Sequence, residues 1–422
     1  MQHVVIGAGP AGVVAAETLR KTQPEAVVTL IGDEPEAPYS RMAIPYLLVK
    51  QIAEQGTYLR KNPEHFRDQK IAIVQGRVAS IDCKARQIAL DGGNAVAYDK
   101  LLVATGSRPV SPPIEGIDLP GVTSCWTLAD ARRIAATAKP GARVVLMGAG
   151  FIGCIILEAL AKSGAELTVV EMEGRMVPRM MNDTAGNLIK DWCESRGVKV
   201  HTSTQVTSIE KNGAALRVNL NSGSAVEADM VVSATGVKPN IEVVEGSGIK
   251  CEHGILVDRM MRTSDENVFA AGDVAQGIDF STGDNSVQAI QPTAVDHGQL
   301  AARNMAGSQG ATHRGCVNMN VLDTLGLISS SFGLWMGADG GDSAELLNRE
   351  RFRYINLQFQ DDVLVGATSL GLTQHVGVLR GLIQSKTRLK VWKDRLLEDP
   401  TRIMEAYLAS TQAVGFNARI IK

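Results

Sequence analysis

A glycine-rich turn that joins an apolar strand to a small-residue helix occurs twice in this chain of 422 residues. The first copy is HVVIGAGPAGVVAAETLR, and the second is ARVVLMGAGFIGCIILEALAK. In a G-x-G-x-x-G turn the first glycine makes the tight turn, the second lets the backbone approach a pyrophosphate, and the third lets the helix pack on the strand. Each copy is followed by another apolar strand, which favours a dinucleotide-binding unit over an ordinary glycine-rich turn.

The two units differ at the end of their second strand. Glu171 stands where a carboxylate accepts a hydrogen bond from the ribose 2′-hydroxyl, so the second unit favours NADH over NADPH. Arg175 follows closely and weakens that preference. In the first unit Gly32 occupies the equivalent place, and an acidic pair comes just after it. The two sites are therefore not equivalent.

Length and charge narrow the remaining possibilities. A chain of 422 residues predicts two to four domains, and a formal net charge of -2 gives no global attraction to nucleic acid. The N-terminal MQHVVIGAG leaves no room for a signal peptide, and no apolar stretch is long enough to span a membrane. The six cysteines form no CxxC pair and show no spacing with histidine that suits zinc. We expect a cytoplasmic protein with no membrane span, no nucleic-acid partner and no bound metal.

Three further motifs extend the pattern. They are LLVATGSRP at 101–109, VVSATGVKPN at 231–240 and NVFAAGDVAQ at 267–276. With the two glycine turns, they resemble the FAD/NAD(P)H oxidoreductases of the pyridine nucleotide–disulfide oxidoreductase superfamily over about residues 1–310. The resemblance implies an α/β fold with two Rossmann-like domains, the NAD domain being inserted in the FAD domain. It implies an FAD-binding domain of 1–111 and 241–310, an NAD(H)-binding domain of 112–240, and a C-terminal α+β interface domain of 311–422 with a helical tail.

The resemblance also implies which residues hold FAD and NADH. For FAD they are Gly7, Gly9, Pro10, Ala11, Gly12, Asp33, Glu34, Arg41, Val78, Ala104, Thr105, Gly106 and Asp273. For the nicotinamide dinucleotide they are Gly148, Gly150, Ile152, Gly153, Glu171 and Gly236. Family members aim the N-terminus of a late helix at the flavin, and Pro292 is predicted to begin that helix here, running to Met305. His297 on this helix is interpreted as a packed or surface histidine rather than an acid or base.

The segment PYSRMAIPY departs from the redox-active members of the superfamily. Met42 aligns with the single cysteine of the NADH peroxidase and coenzyme A-disulfide reductase types, and a thioether forms neither a thiolate nor a disulfide. We therefore expect no thiol chemistry at this position, and Met42 and Tyr46 are placed near the flavin. Tyr46 stands where ferredoxin and rubredoxin reductase relatives carry a lysine. Ile155 replaces the glutamate of their G-x-E motif, with Glu158 as an uncertain substitute.

The C-terminal third predicts short strands with a hairpin corner at Asp361-Asp362, followed by a helix. That helix is predicted with Asp399 as N-cap and Pro400 at its first position, and with one face made of the following side chains: Ile403, Met404, Tyr407 and Leu408. Residues 380–395 hold six basic side chains against one acid. This stretch is either a docking patch for an acidic redox partner or a solvated helix face.

These observations predict an FAD-dependent NADH oxidoreductase that passes electrons to a redox protein of the ferredoxin, rubredoxin or iron–sulfur type. Because the flavin would carry the chemistry, catalytic side chains stay unknown. One alternative is an NADH oxidase or a flavin component related to nitrite reductase. The other, suggested by Ile155, is a flavin-bearing subunit of a larger redox complex whose NADH site is degenerate. As partners we expect a homodimer or a hetero-complex.

Overall fold

The computed structural model describes residues 1–308 and 310–417, with side chains described up to 411. Its α-helices are named in chain order. They are α1 (Pro10–Thr22), α2 (Ile44–Leu48), α3 (His65–Asp68), α4 (Leu128–Thr137), α5 (Phe151–Lys162), α6 (Asp183–Ser195), α7 (Gln291–Met305), α8 (Val376–Ser385), α9 (Val391–Glu398) and α10 (Ile403–Asn417). None of these helices is long and apolar enough to cross a bilayer.

Two five-stranded parallel sheets carry the two glycine turns. The first sheet has the order Val268–Ala270, Lys100–Val103, Gln2–Ile6, Val27–Gly32 and Ile71–Gln75. The second has the order Lys199–His201, Glu166–Val170, Arg143–Met147, Met230–Ser233 and Val122–Ser124. Their central strands are rich in valine, isoleucine and leucine because both faces of a parallel sheet are buried. In each sheet the strand before the glycine turn lies at the centre.

The chain passes between these two sheets along a two-stranded ribbon. Ser107–Pro109 leaves the first sheet and pairs antiparallel with Val237–Pro239, which returns from the second. The Thr105 hydroxyl donates to the Asn240 carbonyl at 2.9 Å, and the Asn240 amide donates back to the Thr105 carbonyl at 2.8 Å. Since Val268–Ala270 then joins the first sheet, the course of the chain is that expected of an inserted unit. The exact domain limits remain our proposal.

Three small sheets lie beside the parallel ones. Their strands are Val78–Asp82, Gln87–Leu90 and Ala95–Ala97; Val206–Asn212, Ala215–Leu220 and Ala225–Ala228; and Ile255–Leu256, Ala275–Ile278 and Asn285–Val287. Except for the parallel pair formed by Ile255–Leu256 and Ala275–Ile278, the strands of these small sheets pair antiparallel. Helix α7 confirms the predicted helix to within one residue, because it begins at Gln291 with Pro292 second.

The C-terminal part is a five-stranded antiparallel sheet covered on one face by α8 and α9, on which α10 packs. Its order is Met319–Thr324, Leu327–Gly333, Val363–Leu370, Arg353–Gln360 and Asp342–Asn348. Asp361 and Asp362 join two of these strands, with Asp361 at a φ of 52°, which confirms the predicted hairpin corner. The opposite face packs on the second parallel sheet's helices, where Asn182 of the turn before α6 donates to Tyr354 Oη at 2.6 Å.

The last helix begins later than the sequence predicted. Helix α10 starts at Ile403 rather than Pro400, because Asp399 closes a short turn by accepting hydrogen bonds from the Thr401 amide at 3.0 Å and hydroxyl at 2.6 Å. The predicted apolar face is also wrong in part. Ile403 and Ala406 are buried, whereas Leu408 is 42 % exposed.

Candidate active site

Both glycine turns border one cavity of about 1330 Å³. This exceeds the roughly 300–1,000 Å³ of a site for one drug-sized ligand. The predicted site residues that line it are Gly7, Gly9, Pro10, Ala11, Asp33, Glu34, Arg41, Met42, Ala104, Thr105, Gly106, Gly148, Gly150, Ile152, Glu171, Gly236 and Asp273. The structure thus brings most of them together across some 270 residues of chain.

Four of the predicted residues lie outside this lining. Gly12 and Gly153 sit behind the two turns, where they allow helix and turn to pack. Val78 is buried in the small sheet that begins with Val78–Asp82. Tyr46 is 55 % exposed on α2.

In the first glycine turn, two of the three glycines are in close contact with backbone atoms and the third faces open space. A Cβ on Gly7 would lie 2.0 Å from the Ala104 carbonyl oxygen, and one on Gly12 would lie 1.9 Å from the Gly7 oxygen. A Cβ on Gly9 would meet nothing within 4 Å. The first and third glycines are therefore required by the protein itself, while the second keeps space clear in the cavity.

The second turn repeats this arrangement. A Cβ on Gly148 would lie 2.6 Å from the Ala234 oxygen, and one on Gly153 would lie 2.2 Å from the Gly148 oxygen. A Cβ on Gly150 would again meet nothing within 4 Å. Two cradles with the same internal geometry therefore face one cavity.

The helices behind the turns present free backbone donors to the cavity. Gly9 and Gly150 are the N-caps of α1 and α5, and neither helix receives a side-chain cap. The first backbone N–H groups of a helix lack partners within it, and the helix dipole favours negative charge at this end. Each cradle therefore suits the pyrophosphate of a dinucleotide.

Arg41 organises the far side of the first cradle. Its guanidinium donates to Glu34 Oε1 at 2.6 Å and to Tyr39 Oη at 2.8 Å. A third hydrogen bond, also 2.8 Å long, reaches the Trp126 carbonyl, and the guanidinium lies 5.3 Å from the Trp126 ring centre. Arg41 therefore ties the segment after the first cradle to the segment that precedes α4.

Asp273 lies between the ribbon and the start of α7. Ser107 Oγ donates to Asp273 Oδ2 at 2.8 Å, and burial raises the pKa of the Asp273 carboxyl. Gln291 and Ala294, in the first turns of α7, line the same cavity. A partly buried carboxyl group and a helix N-terminus thus face the cavity together, on the first cradle's side of the molecule.

Glu171 is held by the second cradle itself. Its Oε2 accepts a hydrogen bond from the Ala149 amide at 2.6 Å, and its Oε1 accepts one from the Glu173 amide at 2.9 Å. The Arg175 guanidinium is turned to other partners, since it donates to the Asp183 carboxylate at 2.7 Å and to the Met181 carbonyl at 2.8 Å. The carboxylate of Glu171 therefore sets the charge at the end of this strand.

Comparison with known proteins agrees with this geometry. Residues 1–298 match the family model described as pyridine nucleotide-disulphide oxidoreductase. The chain belongs to this family. It is therefore an FAD-dependent NAD(P)H oxidoreductase, and its cofactors are FAD and NADH.

Individual relatives extend over different parts of this oxidoreductase. It is 30% identical over 412 residues to the epsilon subunit of the NADH-dependent phenylglyoxylate dehydrogenase of Aromatoleum evansii, covering 97% of this chain and 98% of that one. It is 34% identical over 316 residues to the rhodocoxin reductase of Rhodococcus erythropolis, covering 74% and 73%. The covalent putidaredoxin reductase–putidaredoxin complex has the same fold, with a TM-score of 0.89, 22% identity and coverage of 97% and 99%.

The residues of the oxidoreductase fit these two cofactors. The open Gly9 and Gly150 positions are cradles that a side chain would fill, and the uncapped helices behind them supply donors for phosphate oxygens. Glu171 provides a carboxylate for a ribose hydroxyl, and Asp273 an acceptor beside the first cradle. Bound in this way, FAD would supply hydride acceptance from NADH.

A thiol is present in the cavity wall but is not ionised. Met42 lines the cavity and is 44 % exposed. Because its sulfur is a thioether, it supplies no thiolate nucleophile at this position. Cys125, which the sequence did not single out, also lines the cavity, yet burial raises the pKa of its thiol to about 12. Since the thiolate is the reactive form, this shift disfavours reaction at Cys125.

The nicotinamide side of the oxidoreductase keeps an apolar wall. Ile152 and Ile155 on α5 both line the cavity. Glu158 does not replace the missing glutamate, because its carboxylate pairs with Lys162 on the outer side of the helix and lies outside the cavity lining. Helix α5 therefore presents no carboxylate to the cavity at the place of the G-x-E glutamate.

Ser107 and Arg179 are among the polar residues of the cavity wall that the sequence reasoning missed. Ser107 orients Asp273, and Arg179 is an exposed guanidinium on the same wall as Glu171. The motif around Ser107 was recognised only as part of the family resemblance, and its pairing with Val237–Pro239 shows which side chain faces Asp273. Nothing in the local pattern around Arg179 indicates its position.

Replacing Glu171 with glutamine is expected to lower kcat/KM for NADH about tenfold and to narrow the preference over NADPH. The change removes the negative charge that repels a 2′-phosphate and turns an N–H₂ group towards a backbone donor. Steady-state reduction of ferricyanide, with NADH and with NADPH, measures kcat/KM for each nucleotide and so the preference between them. Glu158→Gln, outside the cavity, is the control and should change neither value; an unchanged preference in Glu171→Gln would contradict the assignment.

Proposed function

We propose that this oxidoreductase is the NADH-binding flavin subunit of an enzyme complex and exchanges electrons between NADH and an iron–sulfur protein. Three features support the proposal. One relative that matches almost from end to end is named as a subunit of an NADH-dependent dehydrogenase. Rhodocoxin reductase, a second relative, is named for a redox protein. The free cysteines also fit work in the reducing cytoplasm.

The observation that carries the proposal is one cavity with two cradles and no ionised thiol in its described wall. Disulfide and peroxide reductases of this family need a thiolate, and neither Met42 nor the protonated Cys125 supplies one. A route through protein sulfur is therefore closed. Electrons that enter from NADH must leave directly to an external acceptor, and an iron–sulfur cluster accepts them one at a time.

The basic stretch 380–395 is less suited to docking such a partner than its composition indicated. Arg388 pairs with Asp362 at 3.0 Å, and Lys393 pairs with Asp342 at 2.5 Å. These contacts cancel part of the positive charge that would steer an acidic partner. Met42 lines the cavity and is exposed, as is Tyr46 four residues later, and we place the partner there.

Anaerobic stopped-flow mixing of the holoprotein with NADH tests the proposal. We expect rapid loss of flavin absorbance, followed by reduction of an added ferredoxin that depends on the chain. No loss of absorbance would instead support a subunit with a degenerate NADH site. Oxygen consumption without added carrier, as fast as ferredoxin reduction, would support an oxidase. Affinity purification from the native host with iron analysis identifies the partner.

A further inference from the structure

Three side chains with metal-binding atoms meet on the side of α7 away from the cavity wall. His297 belongs to α7, whereas His313 and Cys316 come from the segment that leads into the C-terminal sheet. Their ligand atoms all lie within 4.8 Å of one another. None of the three lines the cavity, so this cluster is separate from the cofactor site.

The two sulfur–nitrogen distances of the cluster match tetrahedral zinc. Cys316 Sγ lies 3.4 Å from His297 Nε2 and 3.6 Å from His313 Nε2. With Zn–S near 2.3 Å and Zn–N near 2.0–2.1 Å, a tetrahedral ion holds sulfur and nitrogen about 3.6 Å apart. Small adjustments of the side chains would therefore place an ion between all three atoms.

The surroundings also suit a soft cation. His297 and Cys316 are 4 % and 9 % exposed, which limits competition from water. His313 is only half-buried, so a water molecule can complete the coordination from the open side. Two imidazoles and a thiolate are ligands that zinc prefers over the oxygen sets of magnesium or calcium.

We propose that His297, His313 and Cys316 bind a zinc ion. The ion would join α7, whose first turn lines the cavity, to the segment that enters the C-terminal sheet. One contact must open: the Gly315 amide donates to His313 Nδ1 at 3.2 Å, and a metal on Nε2 puts a proton on Nδ1. Without metal the three groups form a hydrogen-bonded chain, so the two states differ in a measurable way.

Metal analysis of the purified full-length holoprotein tests the site. After dialysis against zinc-free buffer we expect about one zinc per chain, and cobalt substitution should give a near-ultraviolet thiolate-to-cobalt charge-transfer band. Cys316→Ser should lose the band, and both Cys316→Ser and the half-exposed His313→Asn should lose most of the zinc. Cys83→Ser and His253→Asn, away from the cluster, should keep the metal.

Flavin content and circular dichroism of each variant show whether it has folded, independently of any electron-transfer activity. Two results would overturn the proposal. One is a wild-type protein that keeps no zinc and shows no charge-transfer band with cobalt. The other is a folded Cys316→Ser or His313→Asn variant that retains as much zinc as the wild type, which would place the metal elsewhere.

Discussion

Gly150→Val is expected to leave the flavin bound and to abolish its reduction by NADH. Gly9→Val should abolish flavin binding. Both glycines are helix N-caps with ordinary extended backbone, at φ of -72° and -78°, which valine adopts readily. A Cβ at either position meets no protein atom within 4 Å. The Cβ of the added side chain therefore lies in open space, where the side chain competes with whatever the cradle holds.

The expected loss is roughly 100-fold or more in affinity for the affected cofactor, or about 2.8 kcal/mol. Flavin content is measured from absorbance after gel filtration, and NADH reduction from anaerobic bleaching. Gly7→Val, at a neighbouring glycine, shows what a valine does where the protein itself leaves no space. Its Cβ would lie 2.0 Å from the Ala104 oxygen, so this variant should give little folded protein.

The two substitutions also decide which cradle serves which cofactor. If Gly150→Val lost flavin and Gly9→Val kept it, the assignment of the cradles would be reversed. If both variants behaved like the wild type, neither turn would contact a pyrophosphate. The test depends on the shape of each turn alone, and so is independent of the identity of the electron acceptor.

The sequence predicted the parts of this fold that are built from local constraints. A G-x-G-x-x-G turn requires its strand before and its helix after, so β–turn–α units such as Gln2–Ile6 with α1 could be placed from the residues alone. The start of α7 followed from Pro292 in the same way. The start of α10 could not be predicted in this way. The Asp399 side chain can either cap a helix or close a short turn, and in the structure it closes the turn.

Contacts between distant segments were beyond the reach of sequence patterns. His297 and His313 are separated by most of α7 and a loop, so the pair His313-x-x-Cys316 gave no sign of a third ligand. Whether this pair binds zinc, against the prediction from the sequence, is the question that the metal analysis above answers. The Arg41 contact with the Trp126 carbonyl was equally hidden, since 85 residues separate the two positions.

Arg41 is the residue whose loss should weaken flavin binding most without touching a glycine turn. Its guanidinium contacts Glu34, Tyr39 and the Trp126 carbonyl at once, and still lines the cavity. We expect Arg41→Ala to raise the dissociation constant for FAD roughly 100-fold, because a positive charge on the cavity wall and the contacts that order the segment are lost together. Titration of the deflavinated protein with FAD, followed by flavin fluorescence, measures the change.

The substitution Arg41→Lys shows whether charge or geometry matters. Lysine keeps the positive charge, but its single ammonium group cannot make three directed contacts in the plane of a guanidinium. If the planar guanidinium group of Arg41 organises the site, Arg41→Lys should bind FAD nearly as weakly as Arg41→Ala. Arg67→Ala, which removes an exposed guanidinium that pairs with Glu64, is the control and should bind FAD normally. Wild-type affinity in Arg41→Lys would mean that Arg41 acts only as a point charge, and the link to Trp126 would then have no part in holding the cofactor.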